Sequence, residues 1–118
     1  MHPRRLTRLN ELIQQTVSET VLHLKDPLIG FVTITGAWTS PDVTLVKIFY
    51  SVLGDEKQRL QTQKALERAK SMIRRTLGGL ENLRHVPDLV FIFDESVERA
   101  DRVSQILKTI QQEKENQS

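Results

Sequence analysis

The sequence predicts an α+β fold in which a three-stranded sheet has helices on one face. Two observations carry this expectation. Three segments repeat apolar residues every three or four positions, the period of a helix with one buried face. Three shorter segments are rich in β-branched and aromatic residues and are bounded by turn formers. The order along the 118 residues is helix, strand, strand, helix (one or two), strand, helix, with no internal repeat and no linker. Helices that carry an apolar stripe need a surface to cover, and a sheet of this size offers one.

The first helix is marked by Leu6, Leu9, Leu12, Ile13, Val17, Val21 and Leu24. Lys25-Asp26-Pro27 ends it, because a residue that precedes proline is driven out of the helical region. Phe31 to Trp38 reads as the first strand and Thr39-Ser40-Pro41-Asp42 as a turn. The second strand runs from Val43 to about Val52, with Val46, Ile48, Tyr50 and Val52 on one face and Lys47 and Ser51 on the other. The two strands are close enough to pair as an antiparallel hairpin.

Gly54 and Asp55 break the second strand, and Asp55 with Gln58 forms a capping-box pattern for the next helix. Leu66, Ala69, Ile73, Leu77 and Leu80 make its apolar stripe. Lys64, Arg68 and Arg75 lie nearly opposite that stripe, with Lys70 and Arg74 on a flank. Gly78-Gly79 weakens the far end of this helix. Leu89 to Phe93 is apolar on both faces, a pattern expected of a strand that is central or covered on both sides. Ser96 is placed to cap a last helix that carries Val97, Ala100, Val103, Ile106, Leu107 and Ile110. Residues 1–110 are therefore read as one domain, and the polar segment 111–118 as a tail that frays.

The composition, with 38% hydrophobic and 27% charged residues, is that of an ordinary globular domain. Without cysteine there is no disulfide scaffold and no zinc site built on thiolates. No apolar run is long enough to span a bilayer. The start of the chain is Arg-rich, as in a transit peptide, but the first helix accounts for it, and Glu11, Gln14 and Gln15 interrupt the apolar stretch that a secretory signal would need.

Charge is unevenly placed although the net is only +2. Residues 57–85 carry +6, from eight basic residues against Glu67 and Glu81, and residues 1–8 carry +3. Residues 9–56 and 86–101 each carry −4. Such asymmetry suits a polyanion binder, and it equally suits a solvated helix face; charge alone leaves both open.

Catalytic patterns do not survive inspection. His2, His23 and His85 are scattered, with no metal-ligand spacing between them. Asp88, Asp94 and Glu95 flank the third strand, where the exit into a helix cap accounts for the last two. The nucleophile elbow, the P-loop and the dinucleotide fingerprint are absent. Trp38, Phe49 and Tyr50 could stack on bases, but aromatic residues in a hairpin usually serve the core or cross-strand pairs. The expectation is a protein that is not an enzyme and needs no cofactor, metal or small-molecule substrate.

Several ordered landmarks carry a family resemblance. After the opening amphipathic helix come Lys25-Asp26-Pro27-Leu28-Ile29-Gly30 and the hairpin turn Ser40-Pro41-Asp42. Ala65-Leu66-Glu67-Arg68-Ala69-Lys70-Ser71-Met72-Ile73-Arg74 and Leu77-Gly78 follow. Leu83-Arg84-His85-Val86-Pro87-Asp88-Leu89-Val90-Phe91 and Asp94-Glu95-Ser96 complete the set. Over roughly residues 4–107 the chain resembles bacterial ribosome-binding factor A. The resemblance implies a type II KH-like domain of the order helix–strand–strand–helix–helix–strand, here with a C-terminal helix added. It also implies binding to the small (30S) ribosomal subunit and its rRNA during late maturation and rRNA processing in the cytoplasm.

Ordinary KH modules grip nucleic acid with a Gly-x-x-Gly loop, which Gly30, Gly36, Gly54, Gly78 and Gly79 do not form. The family's interhelical kink, Ala-x-Gly, matches Ala69-Lys70-Ser71, with Ser71 in the place of glycine. Recognition is therefore expected from basic side chains: Lys64, Arg68, Lys70, Arg74, Arg75 and Arg84 as phosphate contacts, assisted by Arg4, Arg5 and Arg8. Loss of Arg74 and Arg75 should weaken binding with little effect on folding. The competing reading is a protein-interaction module whose basic helix docks on an acidic protein. A monomer is expected, since no heptad repeat calls for a coiled coil.

Overall fold

The computed structural model describes residues 2–80, 83 and 85–117. Helix α1 (Pro3–Leu22) leads into the hairpin of β1 (Phe31–Thr39) and β2 (Leu45–Leu53), followed by α2 (Glu56–Gly78), β3 (Asp88–Phe93) and α3 (Ser96–Gln117). The sheet order is β1-β2-β3; β2 pairs antiparallel with β1 and parallel with β3. This is the α+β arrangement expected from the sequence, with α1 and α2 laid on one face of the sheet.

Pro3 starts α1 where a missing N–H costs nothing, and the His2 ring accepts a hydrogen bond from the Arg4 N–H. The stripe of α1 buries Leu9, Ile13, Val17 and Val21. From β2 come Val46, Ile48, Tyr50 and Val52, and from α2 come Leu66, Ile73 and Leu77. Tyr50 meets Phe93 edge-on at 5.7 Å between ring centroids. Core alternation in β1 crosses a bulge: Ile34 pairs with Tyr50 and Gly36 with Phe49, which leaves Thr35 extra.

The hairpin turn is held by side chains. Ser40 Oγ donates to Asp42 Oδ1 at 2.7 Å, and the same carboxylate accepts from the Thr44 hydroxyl at 2.8 Å. These bonds hold the Asp42 carboxyl below its ordinary pKa, the Ser40 bond most of all. Val43 adopts φ 59 inside this network, a conformation that a β-branched residue takes only when its surroundings impose it.

The capping box at the start of α2 forms as its sequence suggests. Asp55 Oδ1 accepts from the Gln58 N–H at 2.8 Å, and Gln58 Oε1 accepts from the Asp55 N–H at 2.9 Å. Gly54 makes the preceding corner at φ 146, and a Cβ there would run into the Gln58 side chain. Gly54→Ala should therefore cost about 1–3 kcal/mol, through backbone strain and a displaced capping glutamine. Urea unfolding should show a lower midpoint at constant slope; an unchanged midpoint would mean that this corner tolerates a side chain.

Three features differ from the sequence reading. The helix pair that the resemblance implies is one uninterrupted helix, α2, which continues through Ala69-Lys70-Ser71. Serine keeps a helical backbone where glycine would loosen it. Second, β3 is an edge strand rather than a central one. Its Leu89 and Phe91 enter the core while Val90 is 41% exposed on the other face. The central place goes to β2, which alone has partners on both sides. Third, α3 does not join the other helices on the sheet. It projects from the body, which gives the molecule a long axis of 65 Å, and the helix continues over 111–117 where the sequence reading has a tail. That segment contains neither glycine nor proline, so nothing local stops the helix.

Candidate nucleic-acid interface

Helix α2 sorts its basic residues by direction. At 100° per residue, Lys57, Lys64, Arg68 and Arg75 fall within about 20° of one line on the side opposite Leu66 and Ile73. Since Leu66 and Ile73 are fully buried, this row faces water, and all four of its members are exposed. The row extends over about 27 Å of helix. Lys57 was not among the candidates read from the sequence; its spacing of seven from Lys64 is the signal that identifies it.

Within the row, Arg68 is engaged. Its Nη2 lies 2.8 Å and its Nε 3.2 Å from Asp26 Oδ2, which staples the α1–β1 loop to α2. Asp26 Oδ1 also accepts from the Leu28 N–H at 3.0 Å. The Leu28 N–H first and Arg68 second hold the Asp26 carboxyl below its ordinary pKa. A depressed carboxylate stabilises the fold above its unfolded pKa and loses that contribution as pH falls through the folded one. The staple is thus intact at neutral pH and weakens only in acid. Lys57, Lys64 and Arg75 have no ion pair among the described residues.

The flank of α2 serves β3 instead. Lys70 Nζ lies 2.9 Å from Glu67 Oε2 and 6.0 Å from the centre of the Phe91 ring. Arg74 donates from Nε to the Pro87 carbonyl at 3.1 Å and from Nη2 to the Val86 carbonyl at 3.4 Å, with Asp88 Oδ1 at 3.5 Å. These carbonyls belong to the segment that enters β3, so Arg74 clamps that segment against the helix. Arg59 is likewise occupied, with its guanidinium 4.1 Å over the Phe93 ring.

Arg74 and Arg75 consequently differ in the expected effect of alanine. Arg74→Ala should destabilise by about 1–2 kcal/mol, since two carbonyls lose a charged donor that is partly shielded from water. Arg75→Ala should change stability by less than about 0.5 kcal/mol. Equal midpoints in urea for the two variants would contradict the clamp.

Arg4, Arg5 and Arg8 are exposed on the first turns of α1 and have no ion pair among the described residues. The Asp26–Arg68 bond and a 3.2 Å bond from the Gly30 N–H to Thr62 Oγ1 hold the loop that follows α1 beside the middle of α2. Arg84 lies outside the described residues. Ala69 packs against the core and Ser71 is exposed, both within continuous helix.

Among the aromatic residues Tyr50 is a core residue, while Trp38 is 42% exposed with Lys47 Nζ 4.9 Å from its ring centre. Among the described residues, no three His, Asp or Glu side chains converge as metal ligands. No helix of the described residues is long and apolar enough to cross a membrane.

The family model for ribosome-binding factor A matches residues 5–107. Ribosome-binding factor A of Halothermothrix orenii is 37% identical over 117 residues, covering 98% of this chain and 96% of the relative. The solution structure of a Thermotoga maritima protein described as a putative ribosome-binding factor A has a TM-score of 0.71 at 29% identity, over 81% of this chain and 93% of that one. A Thermus thermophilus ribosome-binding factor A homology model, fitted into the cryo-EM map of a 30S complex, shares the fold. Its TM-score is 0.59 at 21% identity, over 73% of this chain and 91% of the other.

Proposed function

The chain belongs to the ribosome-binding factor A family, and from that premise we propose that it is a non-catalytic assembly factor that binds the small ribosomal subunit and its rRNA during late maturation in the bacterial cytoplasm. The observation that carries the rRNA contact is the outward row on α2, in which Lys57, Lys64 and Arg75 have no ion pair among the described residues. Arg68 belongs to the same row, and Arg4, Arg5 and Arg8 add exposed positive charge on the first turns of α1. Lysine and arginine on one face of a helix neutralise phosphates and set orientation without reading bases. That suits a surface that lacks the Gly-x-x-Gly loop.

Lys70 and Arg74 take a supporting part in this reading, because they hold β3 to α2. With four to six phosphates neutralised, log affinity should fall against log salt with a slope of roughly −3 to −5. The deciding experiment is co-sedimentation of the purified chain with free small subunits and with complete ribosomes. Preference for the free subunit, lost after RNase treatment, supports the assignment. Binding that survives RNase and ignores salt would point to an acidic protein partner instead.

A further inference from the structure

We propose that α3 closes onto the outer face of the sheet in its own chain. The outer face is the one that α1 and α2 do not cover. Strand register places Trp38, Lys47 and Val90 in one row across it and Gly36, Phe49 and Ile92 in the next. Trp38 is 42% and Val90 41% exposed there. With one face in the core and the other apolar and open, β3 has the composition of a strand covered on both sides.

The complementary surface is on α3. Val103, Ile106, Leu107 and Ile110 follow the i, i+3, i+4, i+7 pattern of a buried stripe. They are instead 55%, 58%, 60% and 44% exposed. The chain thus holds two open apolar surfaces, joined by the two residues between Phe93 and Ser96. A connection of this length is enough to turn a helix back over its own strand. The Thr35 hydroxyl donates to Asp94 Oδ2 at 2.8 Å, which fixes the end of β3 to the sheet, and Asp94 Oδ1 accepts from the Ser96 N–H at 2.9 Å, so closure requires this Asp94–Ser96 joint to rearrange.

Dimensions fit this closure. Three residues back along β3 from Phe93 to Val90 cover about 10 Å. Seven residues on along α3 from Ser96 to Val103 also cover about 10 Å. An α3 that turns back antiparallel to β3 therefore brings Val103 level with Val90. The three strands span about 10 Å between the outer two, the width of one helix with its side chains. A two-residue tether keeps the helix at a high effective concentration over this face. Closure leaves the basic row of α2 open, because that row lies on the far side of the molecule.

Trp38 is the chain's only tryptophan and lies on the face to be covered. In the full-length chain, replacing Ile106 and Leu107 by glutamate should shift its fluorescence to the red and raise its quenching by acrylamide. Identical spectra for the two chains would overturn the proposal. The chain has no cysteine, so a Val90→Cys/Val103→Cys variant reports the contact directly. Oxidation should yield an intramolecular disulfide in a monomer. Free thiols, or a disulfide-linked dimer formed by exchange of α3 between copies, would overturn it. Should the cysteine variant fail to fold, the glutamate variant decides. Neither readout involves RNA, so this proposal and the assembly-factor reading succeed or fail separately.

Discussion

Replacing Lys57, Lys64 and Arg75 together by alanine should weaken binding to isolated small subunits by about 10²–10³-fold at ~0.1 M salt and flatten the log–log salt slope by about 2–3. Both numbers have one origin. Each phosphate neutralised releases about 0.7–0.9 of a counterion, so three lost contacts remove two to three powers of ten at that salt concentration. The three residues are exposed and have no ion pair among the described residues, so the fold should be nearly unaffected. Sedimentation or fluorescence titration across a salt series measures both quantities. An unchanged slope would remove α2 from the interface. A larger loss from Lys70→Ala than from Lys64→Ala, at equal stability, would move the interface to the β3 flank.

Leu66→Ala should destabilise the domain by about 2–5 kcal/mol, a large share of the roughly 5–15 kcal/mol that holds a domain of this kind together. Leu66 is fully buried in the cluster formed by α1, the sheet and α2. Its removal leaves a cavity among residues from separate elements that cannot all move inward together. Urea unfolding should show the loss as a lower midpoint, with the slope preserved if unfolding stays two-state. Retention of the midpoint would mean that the space collapses, contrary to the packing seen. This variant also separates stability from binding, since Leu66 lies on the side of α2 opposite the basic row.

Periodicity and end signals made most of the fold legible. The stripe of α1, the alternation in β2 and the Asp55–Gln58 capping box are local patterns, and each appears where its residues place it. The turn at Ser40-Pro41-Asp42 also follows from residue type, although the network around Asp42 and the strained Val43 needed the structure to be seen. The resemblance to a family implied the KH-like order, but not the uninterrupted course of α2.

The candidate site was legible as a list of charges and not as a surface. Helical geometry separates Lys64, Arg68 and Arg75 from Lys70 and Arg74 without any structure. Sequence cannot show that Arg68 is held by Asp26, 42 residues away, or that Arg74 is spent on the carbonyls of Val86 and Pro87. Those partners are set by long-range packing. The same holds for β3, whose apolar pattern states that both faces want cover but not which strand stands at the edge. By itself the sequence determined the elements, their buried faces and the direction of charge on α2, because these depend on backbone period and residue type. Only the tertiary structure decided which cations remain open, which strand is central and where α3 goes, because each depends on contacts between segments far apart in the chain.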